Sequence, residues 1–152
     1  MTFRIERVEE ALPIGFGVLA EEARRGGYRM LDRLAAEWQA GEARFDRGGE
    51  VLLAAFLDER LIGIGGMTLD PDIPEAVRMR RFYVAKAARQ RGIGRQLALF
   101  LLGRPEMRDR LVTVNAAAGS EKFWAALGFI PDCRDGHTHL LLPPTAAPRQ
   151  SR

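Results

Sequence analysis

The sequence predicts an α/β (α+β) architecture: a mixed, mostly antiparallel central sheet of about seven strands flanked by about four helices. Three observations predict it. Strand-like and helix-like segments follow one another in the order β, α, α, β, β, β, α, β, α, β, β along 152 residues. Two steps, 78–103 and 111–127, run from strand to helix and need crossover connections, whereas Asp58-Glu59-Arg60 joins its flanking strands as a hairpin. The composition, 47% apolar and 28% charged, suits a globular core. The expectation is one domain over 1–142, followed by a disordered tail rich in proline, alanine and polar residues over 143–152.

Each element has its own signal. Residues 2–7 alternate Phe3 and Ile5 with Arg4 and Glu6, as a half-buried strand does. Leu12, Phe16, Leu19, Ala20 and Ala23 recur at helical spacing over 9–25, weakened by Gly15 and Gly17 and stopped by Gly26-Gly27. A second helix spans about 28–40, with Met30, Leu31, Leu34, Ala35 and Trp38 on one face and Gly41 at its end. Residues 42–50 read as a loop anchored by Phe45. Val51 to Leu57 is a continuous apolar run, the mark of a strand buried on both faces. Leu61 to Leu69 returns as its partner, and Asp70 to Glu75 is a loop by its aspartates and prolines. A strand over 78–84 leads into a glycine turn and a helix over about 93–103, which ends near Gly103-Arg104-Pro105. Leu111 to Asn115 is a short strand, and Ser120 is the expected cap of a helix through Leu127 closed by Gly128. A strand from Phe129-Ile130, a turn at Asp135-Gly136 and a strand over 138–142 complete the chain.

Composition also narrows the functional classes. No run is long and apolar enough to cross a membrane, and Met1 to Glu6 lacks the apolar core of a signal peptide. The single cysteine, Cys133, excludes an internal disulfide and fits a reducing cytoplasm. There is no CxxC or His/Cys cluster, so no metal is expected. The net charge is +3 and the pI about 9.6, carried almost wholly by arginine, since Lys86 and Lys122 are the only lysines. Arginine suits an anionic ligand. Acidic residues are interspersed throughout, however, and no nucleic-acid-binding motif is present, so nucleic acid is not the expected partner.

The chemistry concentrates in Arg89-Gln90-Arg91-Gly92-Ile93-Gly94-Arg95. Two glycines lie where a strand ending at Phe82-Tyr83-Val84 meets a helix. Glycine lets a ligand approach the main chain. The first amides of a helix have no internal partner and lie at its positive dipole end, where phosphates bind.

This stretch resembles the central signature of the GNAT acyltransferase superfamily, Arg/Gln-x-x-Gly-x-Gly/Ala, filled here by Arg89, Gly92 and Gly94. A second block, Phe123-Trp124-Ala125-Ala126-Leu127-Gly128-Phe129, resembles that family's aromatic-rich helix ending in Leu-Gly-Phe, and the element order is similar from about residue 2 to residue 142. The resemblance implies acetyl transfer from acetyl-CoA, as acyl-donor cosubstrate, to a small-molecule or peptide amine attacking directly in a ternary complex. It places the pyrophosphate on the amides of Arg89, Gln90, Arg91, Gly92, Ile93, Gly94 and Arg95. It places the pantetheine arm along Phe82, Tyr83 and Val84, where the fourth and fifth strands splay, with a strand amide polarising the thioester carbonyl. Asn115, Ser120, Phe123 and Trp124 fall beside the cofactor or in the core. Homodimers are common in the family.

The chain also departs from that family. The tyrosine that often protonates the leaving thiolate is Trp124 here, and the asparagine preceding that helix falls at Ala117. Ser120, Tyr83 or water are the candidate proton donors. The strand glutamate often used as general base is absent, and Arg78, Arg80 and Arg81 stand in that strand. They either line a site for an anionic acceptor or are solvated charges. Glu37, Glu42, Glu50, Asp46, Asp70 and His139 are the remaining candidate bases, and imidazole is a side chain that titrates near neutrality. These departures leave a second reading open: an acyl-CoA-binding or regulatory module without turnover.

Overall fold

The architecture is known from a computed structural model that describes residues 2–134 and 136–143. Its strands are β1 (Phe3–Arg7), β2 (Val51–Leu57), β3 (Arg60–Leu69), β4 (Val77–Val84), β5 (Val112–Val114), β6 (Ile130–Arg134) and β7 (His137–Leu141). Its helices are α1 (Phe16–Arg25), α2 (Met30–Ala40), α3 (Ile93–Leu102) and α4 (Glu121–Ala126). The strands form one sheet in the order β1-β2-β3-β4-β5-β7-β6. All neighbours are antiparallel except β4 and β5. This is the mostly antiparallel seven-stranded sheet with four helices that the sequence predicts.

β2 shows why its whole run is apolar. Leu52, Ala54 and Phe56 enter a core beneath α1 and α2, whereas Val51, Leu53 and Ala55 enter a second core beneath α3. Alternation along a strand sends successive side chains to opposite faces, so a sheet covered on both sides needs apolar residues at every position. Each Leu or Phe fully buried this way contributes roughly 1.5–3 kcal/mol. β3 admits its neighbours through small residues. A Cβ at Gly63 would lie 3.2 Å from Ile93 of α3, and one at Gly65 would lie 2.8 Å from the Phe82 ring.

Three expectations need adjustment. α1 begins at Phe16, not residue 9. Pro13 supplies no amide to a helix, and Gly15 takes φ 92°, a left-handed conformation that interrupts the spiral. Ser120 is the N-cap residue of α4, but its hydroxyl donates back to the Ala117 carbonyl at 2.7 Å and caps nothing forward. The expected Asp58-Glu59-Arg60 turn shortens to Asp58–Glu59, because Arg60 already pairs with Leu57 in β3; it closes with φ 49° and 67°, the doubly left-handed form that matches strand twist, although neither residue is glycine. Of the expected tail over 143–152, the part from Pro144 onward lies outside the described residues, as does Asp135 of the expected hairpin turn.

Candidate active site

β4 and β5 pair only over Val77–Met79 against Val112–Val114. From Arg80 to Val84, β4 has no strand partner on that side among the described residues, because β5 ends at Val114. Sheet pairing on the other side continues: the Ala85 amide bonds to Ile62 of β3 at 2.7 Å. Main-chain groups alternate between the two edges of a strand. Those of Val84 therefore face the opening, where the Val84 carbonyl accepts Arg89 Nε at 3.0 Å. Phe82, Tyr83 and Val84 thus lie on the opened stretch that the resemblance assigned to the pantetheine arm.

The N-terminus of α3 stands at the end of this stretch. Gly92 is its N-cap with φ 77°, and the Gln96 amide is the first to reach back, to the Gly92 carbonyl at 2.9 Å. Among the described residues the amides of Arg91, Gly92, Ile93, Gly94 and Arg95 donate to no protein acceptor. They are bare donors at a positive helix end, with the exposed Arg91 and Arg95 beside them. The two glycines serve different ends. A Cβ at Gly92 would meet nothing within 4 Å, so that site needs glycine for its left-handed φ. A Cβ at Gly94 would lie 3.2 Å from Phe123, so that glycine admits the α4 ring. Gln90, also left-handed at φ 65°, completes the turn before Arg91.

Phe123 belongs to a ring cluster that joins the opening to α4. Trp124 is 3% exposed and meets Phe82, Phe123 and Phe129 edge-on, with centroids 5.0, 4.8 and 5.3 Å away. The Trp124 ring is therefore a core element. Asn115 is exposed at the end of β5.

The opposite face of β4 carries arginines. Two residues of β4, Arg81 and Phe82, stand against Gly65 alone, a β-bulge with Arg81 at φ 62°. The bulge turns the Arg81 side chain to α2, where its Nη2 lies 2.7 Å from both Glu37 carboxylate oxygens. Arg78 is 6% exposed and reaches Asp70 at 3.3 Å, Asp72 at 3.4 Å and the Thr113 hydroxyl at 3.2 Å. Asp70 also accepts Thr113 Oγ1 and the amides of Asp72 and Ile73. Burial pushes its carboxyl up, but these donors and the Arg78 charge hold it below the ordinary value overall. A depressed carboxylate adds stability above its unfolded pKa, near 4, and loses it as pH falls through the lower folded value. Urea midpoints should therefore drop on acidification below about pH 4. Asp70→Ala should lose about 3 kcal/mol at neutral pH, because it strips Arg78 of its fully buried partner.

Tyr83 faces α1. Its hydroxyl donates to Glu22, which also accepts the Lys86 amide at 3.0 Å. Burial, then the bond to Glu22, pushes the phenol up to about 12. The phenol thus stays protonated at neutral pH and clasps α1 to the end of β4. The Arg89 guanidinium covers its ring at 5.2 Å. Tyr83→Phe should lower stability by about 2 kcal/mol, the worth of a hydrogen bond to a charged group, and calorimetric unfolding measures it. Glu22 was not foreseen from sequence. It lies 61 residues from Tyr83, and nothing local marks it.

The candidate bases are scattered. Glu37 is tied to Arg81, Glu50 accepts the Arg47 and Leu69 amides, and Glu42 and Asp46 are exposed on the loop after α2. His139 is buried in β7 with Nδ1 2.8 Å from the Thr138 hydroxyl. His137 is also buried, with Nε2 2.8 Å from Asp132. Cys133 is an exposed free thiol in β6. Among the described residues no three His, Cys, Asp or Glu side chains are grouped to hold a metal ion.

The sheet order, with its opening after one parallel pair and a glycine-capped helix at that opening, places the protein in the class of GNAT-type α/β folds. A family model described as an acetyltransferase (GNAT) domain matches residues 18–138, and the chain belongs to that family. A structure from Exiguobacterium sp. 255-15, described as a candidate acetyltransferase, superposes with TM-score 0.82 at 23% identity, covering 93% of this chain and 94% of that one. Glucosamine-6-phosphate N-acetyltransferase from Arabidopsis thaliana superposes at 0.62 with 14% identity, covering 89% and 96%. The N-acetyltransferase YlbP of Bacillus subtilis, solved in complex with coenzyme A, superposes at 0.59 with 17% identity, covering 93% and 97%. At these identities the likeness is one of fold. No curated protein sequence matches the chain.

Proposed function

We propose that the protein is an N-acetyltransferase that moves the acetyl group of acetyl-CoA to an amine. The observation that carries this reading is the set of bare amides from Arg91 to Arg95 standing beside an unpaired stretch of β4 in a GNAT fold. The amides, with Arg91 and Arg95, suit a pyrophosphate. The opened edge of Phe82 to Val84 suits an extended amide-bearing arm that adds to the sheet as another strand would. A β4 amide aimed at the thioester oxygen would stabilise the charge that develops there. In the reaction the acceptor nitrogen bonds to the acetyl carbon, the carbon–sulfur bond breaks, and the departing thiolate takes up a proton. The nitrogen gives its own proton to a base, directly or through water.

One observation favours the second reading, an acyl-CoA-binding module without turnover: the hydroxyls of Tyr83 and Ser120 are already committed to Glu22 and Ala117. Calorimetry with acetyl-CoA and a thiol-release assay over an amine panel separate the two. Micromolar binding with amine-dependent thiol release supports the transferase. Binding without release supports the module, and no binding at millimolar acetyl-CoA overturns both.

A further inference from the structure

We infer that the acceptor amine carries an anionic group, a carboxylate or a phosphate, and that Arg80 is the residue that holds it. This rests on the transferase reading above and narrows its substrate class. The three arginines of β4 are not alike. Arg78 is held by Asp70, Asp72 and Thr113. Arg81 is held by both oxygens of Glu37. The Arg80 side chain, between them, makes no hydrogen bond, ion pair or ring contact with any described residue. It is partly buried nonetheless. A guanidinium partly withdrawn from water without a carboxylate is unfavourable, and a ligand that completes the pairing relieves that cost.

Position singles out the same residue. Arg80 is the first β4 residue beyond the β5 pairing, at the vertex of the opening. Val77 and Met79 enter the core beneath α3, so alternation turns Arg80 to the other face, with Arg78, Thr113 and α2. Its neighbour across β3 is Gly66, which has no side chain to offer. Burial, and then the positive charges of Arg81 and Arg78, lower its affinity for its proton against the attraction of Glu37 and Asp70. The pyrophosphate seat lies at the far end of the opened stretch, past Val84, so an anion at Arg80 is a different anion from the donor's. The guanidinium fork matches carboxylate and phosphate alike.

The test is binding to the CoA-saturated protein, read by calorimetry, of amino acids against their amides and of phosphoethanolamine against ethanolamine. At least one acid or phosphate should bind ten-fold or more tightly than its neutral counterpart. Arg80→Gln should bring that ratio to within about two-fold of one, Arg80→Lys should keep part of it, and CoA affinity should stay the same in both. Which pair shows the preference tells carboxylate from phosphate. Equal binding within every pair, or no binding of any probe, overturns the inference, as does a preference that survives in Arg80→Gln. Because the Arg80 side chain has no partner among the described residues, Arg80→Gln should melt within a few degrees of the parent, which separates a binding defect from misfolding. The thiol-release assay answers the other question: an acid preference without turnover keeps Arg80 as an anion site and removes the transferase reading.

Discussion

Gly92→Glu should weaken acetyl-CoA binding by more than a hundred-fold in calorimetry while the protein stays folded. Two effects combine. The new carboxylate stands at the N-cap of α3, where it can accept the amides of the first turn and occupy the seat proposed for the pyrophosphate. It also repels the incoming phosphates across a few ångströms. The fold tolerates the change because the Cβ position is open, with nothing within 4 Å. The conformation resists it modestly, by about 1–2 kcal/mol for a side chain at φ 77°. Gly92→Asn separates these terms. Asparagine accepts the left-handed region and carries no charge, so binding should remain within about five-fold of the parent. Full affinity in Gly92→Glu would place the phosphates away from α3.

The second large effect is expected at Trp124. Trp124→Ala should cost about 3–5 kcal/mol in urea unfolding, because it empties a site surrounded by three rings. The loss should reach the proposed donor site as well. Phe82 stands on the opened part of β4, and Phe123 packs at Gly94 in the first turn of α3, so the indole links both walls. Acetyl-CoA affinity measured well below the melting temperature should fall by about ten-fold. Trp124→Phe should recover most of both. Trp124→Tyr should not raise turnover: its phenol would be enclosed among the same rings, where a hydroxyl needs a partner that the cluster does not supply. A rise in turnover in that variant would show that the ring position reaches the leaving thiolate.

The candidate site was legible in the sequence where its geometry is local. Gly92 and Gly94 mark a strand-to-helix turn because cap conformation is set within about four residues. The continuous run from Val51 to Leu57 announces a strand covered on both faces, because alternation is a property of the chain itself. Trp124 is visibly a poor acid as soon as its side chain is read.

What tertiary structure alone decided is which charges are satisfied. Three arginines of one strand look equivalent in sequence. They are sorted by a bulge at Arg81, by Glu37 at 44 residues' distance, and by Thr113 at 35. Glu22 reaches Tyr83 across 61 residues. Such pairings follow from how helices settle on the sheet and where β5 stops, so no local pattern encodes them. The sequence by itself determined the set of bare backbone amides at a glycine-capped helix, because cap conformation is local. The folded chain decided which arginine of β4 is left without a side-chain partner among the described residues, because packing and the end of β5 sort Arg80 from Arg78 and Arg81.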